Sequence, residues 1–233
     1  MMPNQLIDGD PTECVALSVA DICANIDTQL YDPDFVYAMT LKLMNQQPTT
    51  AGLDPYSGMI EAVAYGLLPI TLETFTAKVM GELYVANYQN YPAADRTAAM
   101  KWAKRGVIPL YTYSAIVDWL MTQRTGVSLA IQWFESFNTP NADGTLPAPS
   151  GSFSYHNVAV YDDVLQGLVI KPWLGPSFGK GGYVYLSETT FNLIFQSAAG
   201  FDQNGWRWLS LAKIAVTHPW AIGDILPQLS QTS

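Results

Sequence analysis

The chain has 233 residues, of which 49% are hydrophobic and 13% are charged. That is enough apolar material for one large domain, or for one domain divided into two lobes. The net charge of -9 argues against a protein that binds nucleic acid or anionic membranes, because both partners require basic patches. No apolar run approaches transmembrane length. The segment Met1–Gln5 lacks the charged and apolar regions of a signal peptide.

A capping pattern followed by an apolar segment predicts a buried helix near the start of the chain. Asp10 is a candidate N-cap, Pro11 suits the first helical position, and Glu13 completes a capping box. Residues 15–26 are apolar almost all the way round, which is typical of a helix in the protein interior. Cys14 falls in the first turn, where the helix dipole favours a thiolate. It could equally be a small apolar core residue.

Cys14 and Cys23 are the only cysteines of the chain. On one helix their nine-residue separation places them about 13.5 Å apart along the axis, on opposite faces. A disulfide needs alpha-carbons within about 7 Å, so we expect no internal disulfide and a cytoplasmic or virion-associated location. Two cysteines and two histidines are also too few and too scattered for a structural zinc site, and no metal or other cofactor is expected.

Helical spacing continues through the first half of the sequence. Residues 31–37 form a turn and a short helix, residues 59–68 carry helical spacing, and residues 92–104 are helical again. Residues 46–57 are polar with two prolines and a glycine, which predicts a loop. Residues 70–89 also have helical spacing and are interpreted as an inserted helix or a lid.

Strand patterns dominate the second half. The predicted strands cover residues 107–113, 126–134, 153–160, 168–171 and 183–186, with helices over 115–122 and 187–195. A long loop over residues 137–152 precedes the third strand, and Asp162-Asp163 is expected in the turn after it. The glycine-rich residues 175–182 are followed by a strand, which indicates a hairpin loop and not a phosphate-binding loop.

Three blocks resemble, in the same order, segments of the papain-like cysteine peptidases. Residues 14–20, Cys-Val-Ala-Leu-Ser-Val-Ala, resemble the start of that family's central helix. Residues 155–162, Tyr-His-Asn-Val-Ala-Val-Tyr-Asp, resemble its histidine strand, and residues 168–186 resemble the hairpin that follows. The likeness is closest to short bacterial and bacteriophage members. It covers most of residues 8–197 and is weakest over residues 70–92.

The resemblance implies an α+β, papain-like two-lobe fold. Residues 1–106 would form a helical lobe with the nucleophile helix, and residues 107–197 a twisted antiparallel β lobe with the histidine strand. Residues 198–233 would be a C-terminal extension. The cleft between the lobes is expected to hold Cys14 facing His156.

The same resemblance implies a thiol peptidase or amide hydrolase acting on a peptide or protein substrate. Cys14 would be the nucleophile, and His156 the general base and then the general acid. The backbone N–H of Cys14 would contribute to the oxyanion hole. His218 lies outside the three blocks and is expected to be structural.

Two positions depart from the family pattern. Asp8 stands where the family has a glutamine that donates its amide to the oxyanion hole, and a carboxylate can only accept hydrogen bonds. Gln5 is a possible substitute donor. Pro172 stands where the family has the asparagine that orients the histidine. The remaining candidates for that orientation are Asn157, Asp162 and Asp163, although alternation along the strand should turn Asn157 to the opposite face from His156.

These departures motivate a second hypothesis, a catalytically degraded papain fold that serves as a structural or assembly subunit of a phage tail, baseplate or capsid. Its partners would be other virion proteins, contacted through the C-terminal extension with Trp206, Trp208 and Trp220. A cell-wall glycosidase would need paired carboxylates across a cleft, and the sequence places no such pair.

Overall fold

The computed structural model of the chain describes residues 14–45, 53, 55–71 and 88–202. The helices are α1 (Cys14–Asp27), α2 (Pro33–Leu43), α3 (Pro55–Ala64), α4 (Ala93–Met100), α5 (Tyr113–Gln123) and α6 (Glu188–Ile194), with 3-10 turns at Tyr88–Asn90 and Glu135–Asn138. The strands are β1 (Val107–Leu110), β2 (Val127–Phe134), β3 (Phe153–Val164), β4 (Gly167–Lys171), β5 (Val184–Leu186) and β6 (Phe195–Phe201). Helices come first and the sheet follows, which confirms the predicted α+β class.

The six strands form one antiparallel sheet in the order β1-β6-β2-β3-β4-β5. Its two faces carry separate apolar cores. On one face Leu129 and Ile131 of β2 share a core with Ile116 of α5 and Phe191 of α6. On the other face Ala159 of β3 belongs to the core of α1, α2 and α3. Both faces of the sheet are therefore covered, and α1 lies between the sheet and the other N-terminal helices.

The position of α1 explains why its sequence is apolar all round. Residues 14–23 are all buried, because α2, α3 and β3 pack around them. α3 approaches α1 at Gly58, where an added Cβ would lie 2.5 Å from Cγ1 of Val15. Only glycine admits the two helices at this distance. This contact fixes the position of α1 at Val15, one residue after Cys14.

Polar side chains clamp the middle of α1 to the sheet. Asp21 pairs with Lys171 at 3.0 Å and accepts a hydrogen bond from the Tyr161 hydroxyl. Nearly one turn earlier, Ser18 accepts a hydrogen bond from the Trp173 indole at 3.2 Å. The Lys171 ammonium lies 4.4 Å from the centre of the Trp173 ring, within cation–π range. We refer to these five residues as the helix clamp.

Several helix boundaries differ from the prediction. α3 begins at Pro55 and ends at Ala64, whereas helical spacing predicted residues 59–68. Proline is favoured at the first helical position, and Gly66, at φ +76°, turns the chain after the helix. A Cβ at Gly66 would lie 2.1 Å from the carbonyl oxygen of Ala99, so the chain also passes too close to α4 for a side chain.

The turn predicted at Asp162-Asp163 is wrong. Both aspartates are strand residues that pair with β4, and the register shifts after Val160 at a bulge. The turn falls at residues 165–166, just before Gly167 at φ +123°. The bulge absorbs one residue, which lets the strand continue through an acidic pair that by composition suits a turn.

The sheet also extends further along the chain than the resemblance suggested. β6 runs to Phe201 and pairs with β1 and β2, so residues 198–201 are strand and not part of an extension. Small side chains make this possible, since a Cβ at Gly200 would lie 2.3 Å from the Trp119 ring.

Some predictions lie outside the described residues. These are Asp8, the capping residues before Cys14, most of the predicted helix over 70–89, His218 and residues 203–233. Within the described ranges, none of the helices has the length and hydropathy to cross a bilayer. The same ranges hold no cluster of three or more His, Cys, Asp or Glu side chains suited to a metal ion.

Candidate active site

The two cysteines share α1, as predicted, but they differ in surroundings. Cys14 is the first residue of α1 and is 7% exposed, and Cys23 lies in the helical core with no exposed surface. Neither forms a disulfide. Burial raises the pKa of the Cys23 thiol, the Lys104 ammonium opposes this, and the Asp27 carboxylate adds to it. Cys23 is therefore an inert thiol at neutral pH.

His156 is a half-buried residue of β3, directly opposite Ile131 of β2. Its ring meets the Trp133 ring edge-on, with centroids 5.3 Å apart and planes at 73°. Trp133 in turn packs edge-on against Phe137, which is fully buried. The aromatic wall fixes one side of the imidazole. Sequence reasoning did not assign Trp133 a role, although its two-residue offset from Ile131 places it on the same face of β2.

One hydrogen bond determines which nitrogen of His156 carries the proton. The ring nitrogen Nε2 lies 2.9 Å from the carbonyl oxygen of Pro172. A carbonyl oxygen can only accept, so Nε2 is the donor and Nδ1 of the neutral ring holds a free lone pair. The position where sequence reasoning looked for an amide side chain thus supplies an acceptor from the backbone. Proline lacks an N–H but keeps its carbonyl oxygen.

Burial also keeps the imidazole neutral. Desolvation lowers the pKa of His156 below its ordinary value, and the hydrogen bond to Pro172 opposes the change without cancelling it. At neutral pH the ring is therefore a base with its lone pair on Nδ1.

The three side chains considered as orienting groups are engaged elsewhere. Asn157 is 1% exposed and donates to Ser128 at 2.9 Å. Asp163 accepts from the Tyr113 hydroxyl at 2.8 Å, and Asp162 accepts from the backbone of Asp163. Asn157 lies on the face of β3 opposite to His156, as strand alternation predicts.

α1 packs on the sheet beside β3 and the end of β4. Asp21 contacts Tyr161 of β3 and Lys171 of β4, and Ser18 contacts Trp173. Trp173 has φ +62°, so the ladder that pairs Lys171 with Ala159 does not continue to it.

Cys14 begins α1 and lies about 6 Å along the helix axis from Ser18. His156 lies in β3, one residue before Asn157. The expected contact between Cys14 and His156 stays a prediction.

Alternation along β3 limits how the two residues can meet. Ala159 and Tyr161 belong with the core around α1, whereas Val158 belongs to the core on the opposite face. His156 shares the face of Val158 and contacts Trp133 there. Cys14 belongs to the core around α1, so strand alternation places it and the His156 ring on opposite faces of β3.

Comparison with known proteins gives matches at the level of structure only. No protein-family model and no curated protein matches the sequence. The structure of xylellain, a cysteine protease from Xylella fastidiosa, matches with a TM-score of 0.63 at 12% identity, covering 82% of this chain and 79% of that one. The Carica candamarcensis cysteine protease CMS1MS2, in complex with E-64, matches with a TM-score of 0.59 at 16% identity, covering 87% and 92%.

A third match is digestive procathepsin L 3 of the Tenebrio molitor larval midgut. Its TM-score is 0.58 at 13% identity, and the match covers 85% of this chain and 64% of that one. Sequence identities this low show a shared fold but do not show a shared chemistry. The helical layer, the six-stranded sheet and these matches together show that the chain has the papain-like cysteine protease fold.

Proposed function

We propose that the chain is a thiol peptidase or amide hydrolase in which Cys14 attacks a peptide carbonyl and His156 moves the proton. The observation that supports this most is the hydrogen bond from Nε2 of His156 to the Pro172 carbonyl oxygen, 2.9 Å long. It leaves Nδ1 as the acceptor, which is the protonation state that a general base requires. The lowered pKa of His156 adds a second argument, because it keeps the imidazole neutral at neutral pH.

The reaction follows the usual steps of acyl transfer to a thiol. Nδ1 of His156 takes the proton of the Cys14 thiol, and Sγ bonds to the substrate carbonyl carbon to give a tetrahedral oxyanion. The carbonyl re-forms as the C–N bond breaks, and the imidazolium gives its proton to the leaving amine. Water then attacks the thioester with His156 as base, which releases the acid and restores the thiol.

Two protein groups stabilise this sequence. The Pro172 carbonyl holds the Nε2 proton in the neutral ring and accepts a stronger hydrogen bond from the imidazolium that forms in each half-reaction. It does what an asparagine amide oxygen would do, with the advantage that a backbone carbonyl has no side-chain rotamer to lose. The backbone N–H of Cys14 is the proposed oxyanion donor.

Selective alkylation tests the proposed nucleophile. We expect iodoacetamide at neutral pH to modify Cys14 at least about 10-fold faster than Cys23, because only an ionised and accessible thiol reacts. Peptide mapping by mass spectrometry measures both rates in one sample, so Cys23 is an internal control. Equal rates for the two cysteines would contradict an activated thiol at position 14.

A peptide library tests the activity itself. We expect the chain to cleave members of a broad library, Cys14→Ala to abolish cleavage, and Cys23→Ala to retain it. Cleavage that survives in Cys14→Ala would show that another group carries the reaction.

The second candidate function is a papain-fold assembly subunit, with phage particle proteins as its partners. Two departures favour it, Asp8 at the oxyanion position and Pro172 at the asparagine position. The bond from His156 to Pro172 weakens the second of these, since the orienting role is filled. Absence of cleavage, together with partner assembly that is unchanged in Cys14→Ala, would favour this function over the first.

A further inference from the structure

A polar cavity opens beside the last two turns of α1, where the helix passes the end of β4. Its volume is about 260 Å³, close to the lower end of the ~300–1,000 Å³ that small-molecule sites occupy. The polar side chains that line it are those of Asp21, Asn25, Thr28, Gln29, Lys171 and Tyr183. We refer to this space as the helix-end cavity.

The amide and hydroxyl donors of the cavity are already engaged with the backbone. Asn25 and Thr28 each donate to a carbonyl oxygen of α1, at 3.0 and 2.7 Å. The Gln29 amide donates to two carbonyl oxygens, at 2.9 and 3.2 Å. None of these three side-chain oxygens accepts a hydrogen bond from the residues that the structure describes. What the three residues have left for a ligand is therefore acceptors.

Lys171 brings a positive charge to the cavity, but the protein already neutralises it. Its ammonium lies 3.2 and 3.0 Å from the two carboxylate oxygens of Asp21, and 4.4 Å from the centre of the Trp173 ring. An anionic ligand would have to compete with Asp21 for this ammonium. The Asp21 side chain is only 8% exposed, so losing its partner would be costly. The cavity is therefore poorly suited to an anion.

The end of the helix favours a cation instead. α1 ends at Asp27, and the last carbonyl groups of a helix carry partial negative charge. The last turn of α1 contains no basic residue that would offset this charge. Lys104 pairs with the Asp27 carboxylate but is not among the residues that line the cavity. The free acceptors and the helix dipole thus favour the same kind of ligand.

We propose that the helix-end cavity binds a small primary alkylammonium, whose N–H groups donate to the side-chain oxygens of Asn25, Thr28 and Gln29. The Tyr183 ring packs edge-on against Tyr161, which holds an aromatic face beside the cavity for a cation–π contact. The ligand is either a free amine or one lysine side chain of a peptide, since the volume admits both. This site is separate from the proposed active site, because Asn25 lies about 16 Å from Cys14 along the helix axis.

Isothermal titration of the full chain with matched four-carbon probes tests the chemistry. We expect butylamine to bind with one-to-one stoichiometry and at least about 10-fold more tightly than butanol or butyrate, because only the ammonium makes charge-assisted hydrogen bonds. Tighter binding of Nα-acetyl-lysine amide than of butylamine would identify a peptide side chain as the ligand, and the reverse order a free amine. If butanol or butyrate bound as well as butylamine, the ammonium site would be overturned.

Matched variants locate the site. Asn25→Leu removes an acceptor of the cavity, and Asn192→Leu is the control, since that asparagine is exposed on α6. Asn25→Leu should weaken butylamine binding by about 5-fold or more, and Asn192→Leu by less than about 2-fold.

A second pair keeps the test independent of any change at Asn25. Thr28→Val should also weaken binding, whereas Thr97→Val should not, because the hydroxyl of Thr97 donates to a carbonyl of α4. The urea midpoint of each variant shows that it is folded. Equal affinities within both pairs would place the amine elsewhere and overturn the proposal, whatever the outcome of the peptidase assays.

Discussion

The two halves of α1 meet the same sheet in opposite ways. At Ser18 and Asp21 the helix clamp joins the helix to the sheet through the Asp21–Lys171 ion pair and two hydrogen bonds, from the Tyr161 hydroxyl and the Trp173 indole. At Cys14 the helix begins, and this residue keeps 7% of its surface exposed. One half is fixed by buried polar contacts, and the other begins at a cysteine that retains a small exposed surface.

Under the proposed function, this difference would let the fold hold α1 firmly while part of the Cys14 side chain stays accessible. A nucleophile has to be reached by a substrate, so the contacts that hold its helix must lie elsewhere. The helix clamp supplies them between one and two turns away. The proposed base is held by other contacts, since His156 packs against Trp133 and bonds to the Pro172 carbonyl. Stability and chemistry should therefore respond to different substitutions.

The largest effect on catalysis is expected at His156. His156→Gln removes the proposed base and should lower kcat/KM by about 10²–10⁴-fold, with little change in the urea midpoint. The alkylation rate of Cys14 should fall in parallel, while that of Cys23 stays the same. A loss of activity below 10-fold would mean that a different group accepts the thiol proton.

Breaking the helix clamp should act on stability. Asp21→Asn leaves Lys171 without its partner and should destabilise the fold by about 1.5–3 kcal/mol in urea denaturation. Asp163→Asn is the matched control, because that carboxylate is exposed and bonds the Tyr113 hydroxyl at the surface, and it should change the free energy by less than about 0.5 kcal/mol. If Asp21→Asn lowered kcat/KM strongly without lowering stability, the two halves of α1 would not be separable as described.

Glu61 of α3 gives a second test of stability, in which the expected effect depends on pH. Its side chain is fully buried, and neither carboxylate oxygen has a hydrogen-bond partner among the described residues. Burial raises the pKa of Glu61 well above its ordinary value, so its contribution to stability is full at low pH and is lost as the pH rises toward the folded-state pKa. Glu61→Met should therefore be more stable than the wild type by about 1–3 kcal/mol at pH 8, with a smaller gain at pH 5. A gain that did not grow with pH would contradict a neutral carboxyl at this site.

The sequence predicted the architecture well where pattern and packing agree. Residues 15–26 read as a buried helix because every side of α1 is packed, and strand β2 matched residues 126–134 closely because its alternation follows the two cores. The predictions failed where one local irregularity decides the outcome. A bulge after Val160 moved the turn beyond Asp162-Asp163, and a proline start shifted α3 toward residue 55.

The sequence identifies only some of the groups in the candidate site, for a physical reason. Cys14 and His156 are recognisable because their side-chain chemistry is visible in the sequence. The acceptor for His156 is a main-chain carbonyl, which every residue possesses, so no residue type marks it. The contact between the Phe134 and Phe153 rings is equally hidden, since the two residues are 19 positions apart in the chain and meet only through the β2–β3 register.

The smallest expected effect belongs to Pro172 itself. If the carbonyl oxygen is what orients His156, Pro172→Ala keeps that oxygen and should change kcat/KM by less than about 3-fold. The acid limb of the kcat/KM profile should also be the same in Pro172→Ala and in the wild type. It should lie below pH 6.5, because the pKa of His156 is lowered and the proposed base stays neutral until the pH falls below that pKa. His156→Gln should remove that limb and is the control. A large loss in Pro172→Ala, with the acid limb moved upward, would show that the proline ring and not its carbonyl holds the imidazole.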